Sequence, residues 1–134
     1  VDTGDNVITI VVTDQNGNMD STTVIVTVVD TIAPTAIAQN ITVYLDATGN
    51  IEITANMLDN GSFDNCGVDT ITLSNYSFSC ADTGANAVAF TVTDINGNST
   101  TINTSVSVYD TIAPSIVFTN PTNYTVRITI LTAN

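Results

Sequence analysis

The sequence predicts an all-β fold made of tandem immunoglobulin-like antiparallel β-sandwich repeats of about 80 residues. The first observation is an internal repeat: residues 1–36 align with residues 81–116 without a gap, and 17 of the 36 positions are identical. The second is a set of segments rich in Val, Ile and Thr and bounded by Asn, Asp and Gly, a pattern typical of strands. The third is an alternation of apolar and polar residues, which indicates half-buried antiparallel strands.

The repeat period divides the chain into three parts. Residues 1–30 are the C-terminal part of one repeat, residues 31–110 are a complete repeat, and residues 111–134 are the start of a third, divergent repeat or a donated strand. The two ends together are too short for another full repeat, so we expect either a window on a longer polypeptide or ends completed by a neighbouring chain. The identities lie in three motifs: DTG at 2–4 and 82–84, TD-x-NGN at 13–18 and 93–98, and DTIAP at 30–34 and 110–114.

Within the complete repeat the strand pattern recurs six times, with turn-forming residues between the strands, as in a β-sandwich. The loop 55–67 between the second and third strands is long, and we expect one helical turn near Ala55–Leu58. The predicted strands are 41–46, 50–54, 68–74, 76–80, 86–93 and 99–109.

The last two predicted strands show the clearest alternation. Val88, Phe90 and Val92 are expected to face the core, because they occupy every second position of their strand. The next strand is expected to place Val106 and Val108 inward in the same way. The upstream copy repeats both patterns with Ile8, Ile10, Val12, Val26 and Val28.

The hairpin loops and the linker are the segments that recur most closely. Asn96 and Gly97 favour the positive φ that tight hairpin turns require. A turn alone does not explain why Asp94, like Asp14 in the copy, begins the loop. The linker DTIAP is short, and its proline fixes φ and removes a backbone donor, which predicts a semi-rigid rod of repeats.

The composition excludes several classes of function. One Arg, no Lys and no His stand against 13 acidic residues, which gives a net charge of −12. Nucleic acid is not an expected partner because its phosphates require Lys and Arg. No apolar stretch approaches the roughly 20 residues of a membrane-spanning helix, so no membrane insertion is expected in this segment. No Ser or Cys has a histidine to activate it, and the chain is predicted not to be an enzyme.

Loop Asp residues beside Asn and Gly favour a divalent cation, and calcium prefers oxygen ligands of this kind. The hairpin loop 94–98 and the loop 55–67 are predicted to lie at the pole where the linker enters the repeat. A calcium site is therefore expected at the junction between repeats, with a plain turn and a charged linker as the alternative. We expect Asp30 to lie near four residues of those loops, Asp94, Asn96, Asp59 and Asp64.

The motifs also carry a family resemblance. YLD-x-x-GN, DNCG, FSC, TD-x-NGN and DTIAP together resemble the HYR-like, bacterial immunoglobulin-like repeats of very large surface proteins. Such repeats occur in adhesins and gliding-motility filaments of Gram-negative bacteria, so the resemblance implies a secreted, extracellular protein of the cell surface. It also implies a Cys66–Cys80 disulfide, in line with the even cysteine count, and metal ligation near Asp30 and Asp94. The pattern is lost after Tyr124.

The predicted function is that of a structural stalk repeat in an exported adhesin or filament, with junctions stiffened by calcium. Its expected partners are neighbouring repeats or subunits, with a glycan or protein bound at a distal tip. One alternative is an extracellular filament assembled by β-strand exchange, for which residues 122–131 alternate well enough to be a donated strand. Another is a spacer in a secreted enzyme. The last is a glycan- or protein-binding module, and the small number of aromatic residues disfavours this one.

Overall fold

The computed structural model describes residues 3–116. Across this range the regular structure is mostly β-strand with almost no helix, which confirms the all-β prediction, and the expected helical turn forms at Ala55–Leu58. Residues 122–131, where a donated strand is predicted, and most of the third part lie outside the described residues. The elements are β1 (Gly4–Thr13), β2 (Met19–Val28), β3 (Ile41–Tyr44), β4 (Asn50–Glu52), α1 (Ala55–Leu58), β5 (Val68–Leu73), β6 (Ser77–Ser79), a 3₁₀ turn (Cys80–Asp82), β7 (Gly84–Asp94) and β8 (Ser99–Tyr109).

The complete repeat contains two sheets. One has four strands in the order β3-β8-β7-β5, and the other is the antiparallel pair β4-β6. The expectation of purely antiparallel sheets is wrong at one place, because β3 runs parallel to β8, with Ile41 opposite Val106 and Tyr44 opposite Tyr109. Parallel neighbours need a crossover connection, and the chain provides one by leaving this sheet after β3 to form β4 in the other sheet.

The two sheets share one hydrophobic core that lies within the complete repeat. Phe78 of β6 and Ile53, which follows β4, pack with the inward residues of β7 and β8. The predicted alternation is confirmed, since Val88, Phe90 and Val92 are each at most 1 % exposed. The remaining core residues are Val43, Leu45, Leu58, Leu73, Val106 and Val108.

The hairpin β1–β2 forms a separate two-stranded sheet. It pairs Gly4 with Val28 and Thr13 with Met19, which is the same register as in β7–β8, where Gly84 pairs with Val108. Its side chains are nearly all exposed. The hairpin is therefore a geometric copy of β7–β8, and no other strand within residues 3–116 pairs with it.

The complete repeat has an entry end and an exit end, which lie at opposite ends of β7. At the entry end the linker reaches the β7–β8 loop, where the Asn98 side chain donates to the Asp30 carbonyl at 3.2 Å. The loop before β5 lies at the same end, since the Ile95 amide donates to the Gly67 carbonyl at 3.2 Å. This confirms the predicted meeting of linker, hairpin loop and long loop at one pole.

Candidate metal site at the entry junction

Asp30 begins the linker, two residues after the last residue of β2, Val28. One carboxylate oxygen, Oδ1, accepts a hydrogen bond from the Ile32 amide at 3.0 Å, which forms a local turn in the linker. The other oxygen, Oδ2, is buried and has no hydrogen-bond partner. Asp110, the counterpart at the exit end, forms the same turn with the Ile112 amide at 2.9 Å. The linker turn is therefore a property of the DTIAP sequence.

Asp64 approaches from the long loop between α1 and β5. Its Oδ2 accepts from the amides of Cys66 at 2.7 Å and Gly67 at 3.2 Å, so the carboxylate organises the turn that leads into β5. Its Oδ1 is buried and has no hydrogen-bond partner. As with Asp30, one oxygen builds the loop and the other is left without a donor.

Asp30, Asp64 and Cys66 form a compact cluster, in which one carboxylate oxygen from each aspartate and the Cys66 sulfur all lie within 4.8 Å of one another. Buried polar atoms normally have hydrogen-bond partners, and an unpaired carboxylate oxygen is costly to bury. The cluster, in which Asp30 and Asp64 each hold one such oxygen, is therefore a candidate cation site. Carboxylate oxygens suit calcium, whereas a thiolate ligand would favour a softer ion such as zinc.

The electrostatics of the cluster keep Asp30 ionised. The Cys66 thiol and then the Ile32 amide hold the pKa of Asp30 below its usual range. In return, the carboxylate of Asp30 raises the pKa of Cys66, with burial and the charge of Asp64 acting in the same direction. At neutral pH the site presents a carboxylate beside a protonated thiol.

Asp94 is buried at the end of β7, with 2 % of its surface exposed. Its Oδ1 accepts from the amides of Asn96 and Asn98, both at 2.8 Å, and its Oδ2 accepts from the Asn98 side chain at 2.8 Å. Burial tends to raise the pKa of Asp94, but the hydrogen bonds from Asn98 and Asn96 outweigh it and the pKa is lowered, against the opposing charge of Asp30. This network gives the reason for an Asp at the start of the loop: its carboxylate closes the turn.

The structure thus divides the predicted ligand set. Asp30 and Asp64 come together, and Asp94 lies close enough for Asp30 to act on its pKa. Asn96 is exposed. Asp59 is occupied elsewhere, because its Oδ1 accepts from the Ser62 amide at 3.0 Å and its backbone bridges to Ala38. Sequence reasoning missed Cys66 as a neighbour of Asp30, and the only available signal was its place in the DNCG motif.

The Cys66–Cys80 disulfide implied by the resemblance is not present: both residues are free cysteines. Cys66 lies near the Asp94 end of β7, and Cys80 precedes its Gly84 end. The 11 residues of β7 span about 33 Å, whereas disulfide formation needs Cα atoms within about 7 Å. The two cysteines of one repeat are therefore too far apart to bridge each other.

No protein-family model and no curated protein matches this chain. Among residues 3–116, no helix has the length and apolar character needed to cross a membrane.

Proposed function

We propose that this chain belongs to the structural stalk of an exported cell-surface adhesin or filament, in which immunoglobulin-like repeats are held in line by stiff junctions. The observation that carries the proposal is the linker: DTIAP begins with the same hydrogen-bonded turn at Asp30 and at Asp110. At the entry end this turn is fixed to the next repeat by the bond from Asn98 to the Asp30 carbonyl. A linker that is itself folded and anchored favours a rod over a flexible string.

Calcium is the proposed stiffening ion. Asp30 of the linker and Asp64 of the repeat each leave one buried carboxylate oxygen without a hydrogen bond, and these residues belong to the same cluster. An ion bound between them would neutralise the two charges and tie the linker to the long loop. Asp94 would add negative charge nearby without binding the ion directly, because its carboxylate oxygens already accept hydrogen bonds.

The calcium proposal is tested by thermal unfolding of the 134-residue chain in calcium chloride and in a chelator. Saturating calcium should raise Tm by on the order of 10 °C, since an ion at a hundred times its Kd stabilises by about 2.7 kcal/mol. Asp64→Asn should abolish the shift, and Asp69→Asn, an exposed carboxylate on β5, should retain it. A Tm that is the same in calcium and in chelator would overturn the calcium site. A rise in Tm with zinc but not with calcium would assign the cluster to a softer metal.

The stalk role is tested by electron microscopy with antibodies raised against this chain. Labels should lie at several points along a fibre on the surface of the producing cell. Labels confined to the fibre tip would contradict a stalk and favour a binding module.

A filament assembled by strand exchange is the second candidate, and the observation that favours it is the apolar hairpin β1–β2, whose side chains are exposed among the described residues 3–116. In such a filament a neighbouring subunit would cover this hairpin. Long filaments formed by the purified 134-residue chain would support this second candidate and overturn the stalk. Discrete particles would support the stalk.

A further inference from the structure

The geometry points to a disulfide across the junction, between Cys80 of one repeat and the counterpart of Cys66 in the next. The inference rests on the proposed stalk, because it needs same-type repeats in sequence. Neither cysteine forms a disulfide within its own repeat. The two cysteines lie at opposite ends of that repeat. In an array, the exit end of one repeat meets the entry end of the next.

The entry groove contains Cys66 together with the end of the preceding repeat. Asp30 and Ile32 of the linker form one wall, and Asn65 and Cys66 form another. Thr3, from the start of the β1–β2 hairpin, lines the same groove. Cys66 therefore faces residues on both sides of the junction.

The exit groove contains Cys80 together with the following linker. Asp110 and Ile112 form one wall, and Asp46–Gly49 and Cys80 form the other. Asp110 and Ile112 are the counterparts of Asp30 and Ile32 at the repeat period. In the entry groove the linker lies against the repeat that follows it, and in the exit groove the linker lies against the repeat that precedes it. The two grooves therefore represent the two sides of one kind of junction.

The repeat alignment indicates where a counterpart of Cys80 would stand relative to Cys66. Thr3 is the counterpart of Thr83, and the Thr83 hydroxyl donates to the Cys80 carbonyl at 3.4 Å. The position equivalent to Cys80 thus lies three residues before Thr3, a distance of at most about 11 Å along the chain. Since Thr3 and Cys66 line the same groove, that position is within reach of the Cys66 sulfur.

Cys80 is placed so that its sulfur stays at this surface. The residue is exposed, and its thiol donates to the Gly49 carbonyl at 3.6 Å. Gly49 has a φ of +77°, and a Cβ there would lie 2.7 Å from the Cys80 sulfur. A side chain at position 49 would therefore displace the thiol, and glycine leaves it room to face the linker.

Bridge formation is an ordinary thiol–disulfide exchange with a small disulfide as the oxidant. A Cys80 thiolate attacks oxidised glutathione, which forms a mixed disulfide and releases one glutathione thiolate. Cys66 loses its proton and attacks the Cys80 sulfur, which forms the bridge and releases the second. Two protein thiols are oxidised, and one glutathione disulfide is reduced to two thiols. Each bridge ties two neighbouring repeats by a covalent link beside the linker.

The test adds one cysteine directly before Val1, at the counterpart of Cys80, in the 134-residue chain that also carries Cys80→Ser. Neither change touches the core, because one is terminal and the other is at an exposed site. After incubation with oxidised glutathione, free thiols are alkylated and disulfide-linked peptides are mapped by mass spectrometry. We expect the free-thiol count to fall from two to none in most monomers, with the added cysteine linked to Cys66.

Two controls make the result specific. Gln15→Cys with Cys80→Ser places the new thiol in the far loop of the β1–β2 hairpin, and it should leave Cys66 free. The parent chain should keep both Cys66 and Cys80 alkylatable. If the added cysteine stays free or links only between molecules, or if Cys66 pairs with Cys80 in the parent chain, the bridge is overturned. The antibody labelling of surface fibres tests the stalk separately, so that a failure of the bridge is distinguishable from a failure of the stalk.

Discussion

The hairpins β1–β2 and β7–β8 have similar sequences and the same backbone register, yet only one of them lies in a core. In both, an Asp closes the loop through the amides of the second and fourth residues that follow it, at distances of 2.8 to 2.9 Å. In both, the loop Gly has a positive φ, +85° at Gly17 and +90° at Gly97. The hairpin geometry is thus set by local sequence.

Burial separates the two hairpins. Val92 is completely buried, whereas its counterpart Val12 is 66 % exposed. Phe90 is likewise buried and Ile10 is 46 % exposed. The strands β3, β5, β4 and β6 surround β7–β8, and no described residue plays that part for β1–β2. The apolar alternation therefore predicts an apolar strand face, but it does not show whether other strands cover that face. The apolar face contributes to stability only where other strands bury it.

The largest expected difference between the hairpins comes from matched truncations. Phe90→Ala removes a fully buried ring from the core, and it should lower the free energy of unfolding by about 3–5 kcal/mol. Ile10→Ala, at the counterpart position, should change it by less than about 0.5 kcal/mol, since that residue lies in a separate, exposed sheet. Urea unfolding monitored by circular dichroism measures both.

Equal effects of Phe90→Ala and Ile10→Ala would break this comparison, because they would mean that the β1–β2 hairpin is covered in solution. Sedimentation or light scattering on the parent chain would then show whether a second copy covers it.

The loop aspartates give a smaller difference. Asp94→Asn keeps the shape of the side chain but turns Oδ2, which accepts from the Asn98 side chain, into a donor. Because Asp94 is buried at the edge of the core, this variant should lower Tm by on the order of 10 °C at pH 7. Asp14→Asn breaks the equivalent bond to Asn18 in the exposed hairpin, and Tm should stay nearly unchanged.

The pH dependence of the same two variants sharpens this result. The pKa of Asp94 is lowered on folding from its usual 3.8, so its stabilising contribution is present above about pH 4 and is lost as the pH falls through the lowered value. The Tm difference between the parent chain and Asp94→Asn should be constant from pH 7 to about pH 4.5 and shrink below that. A difference that grows on acidification would contradict this assignment. Asp14→Asn should follow the parent chain throughout.

Much of the fold was predictable because it depends on short-range patterns. The inward faces of β7 and β8, the hairpin loops and the helical turn Ala55–Leu58 follow from alternation and turn residues. The parallel pairing of β3 with β8 was not predictable in this way. A four-residue strand carries no signal of its neighbour's direction, and the pairing is decided by how the chain crosses between sheets.

The candidate site was predictable in part. The meeting of linker and loops at the entry end followed from strand order, and it brought Asp30 and Asp64 together as expected. The sequence did not show that both carboxylate oxygens of Asp94 would accept hydrogen bonds from its own loop. It also gave no sign that Asp59 would bind Ser62. Aspartates in neighbouring loops look alike in sequence, and only their hydrogen bonds distinguish a loop-closing carboxylate from one with a free oxygen.

The sequence by itself determined the repeat period, the hairpin register and the loop turns, because each depends on residues close along the chain. Only the tertiary structure decided which hairpin is buried, which aspartate oxygens are left without donors, and at which end of the repeat each cysteine lies. Burial and hydrogen-bond satisfaction depend on atoms brought together from distant positions. Cys66 and Cys80 are 14 residues apart in sequence, yet the length of β7 places them at opposite ends of the repeat.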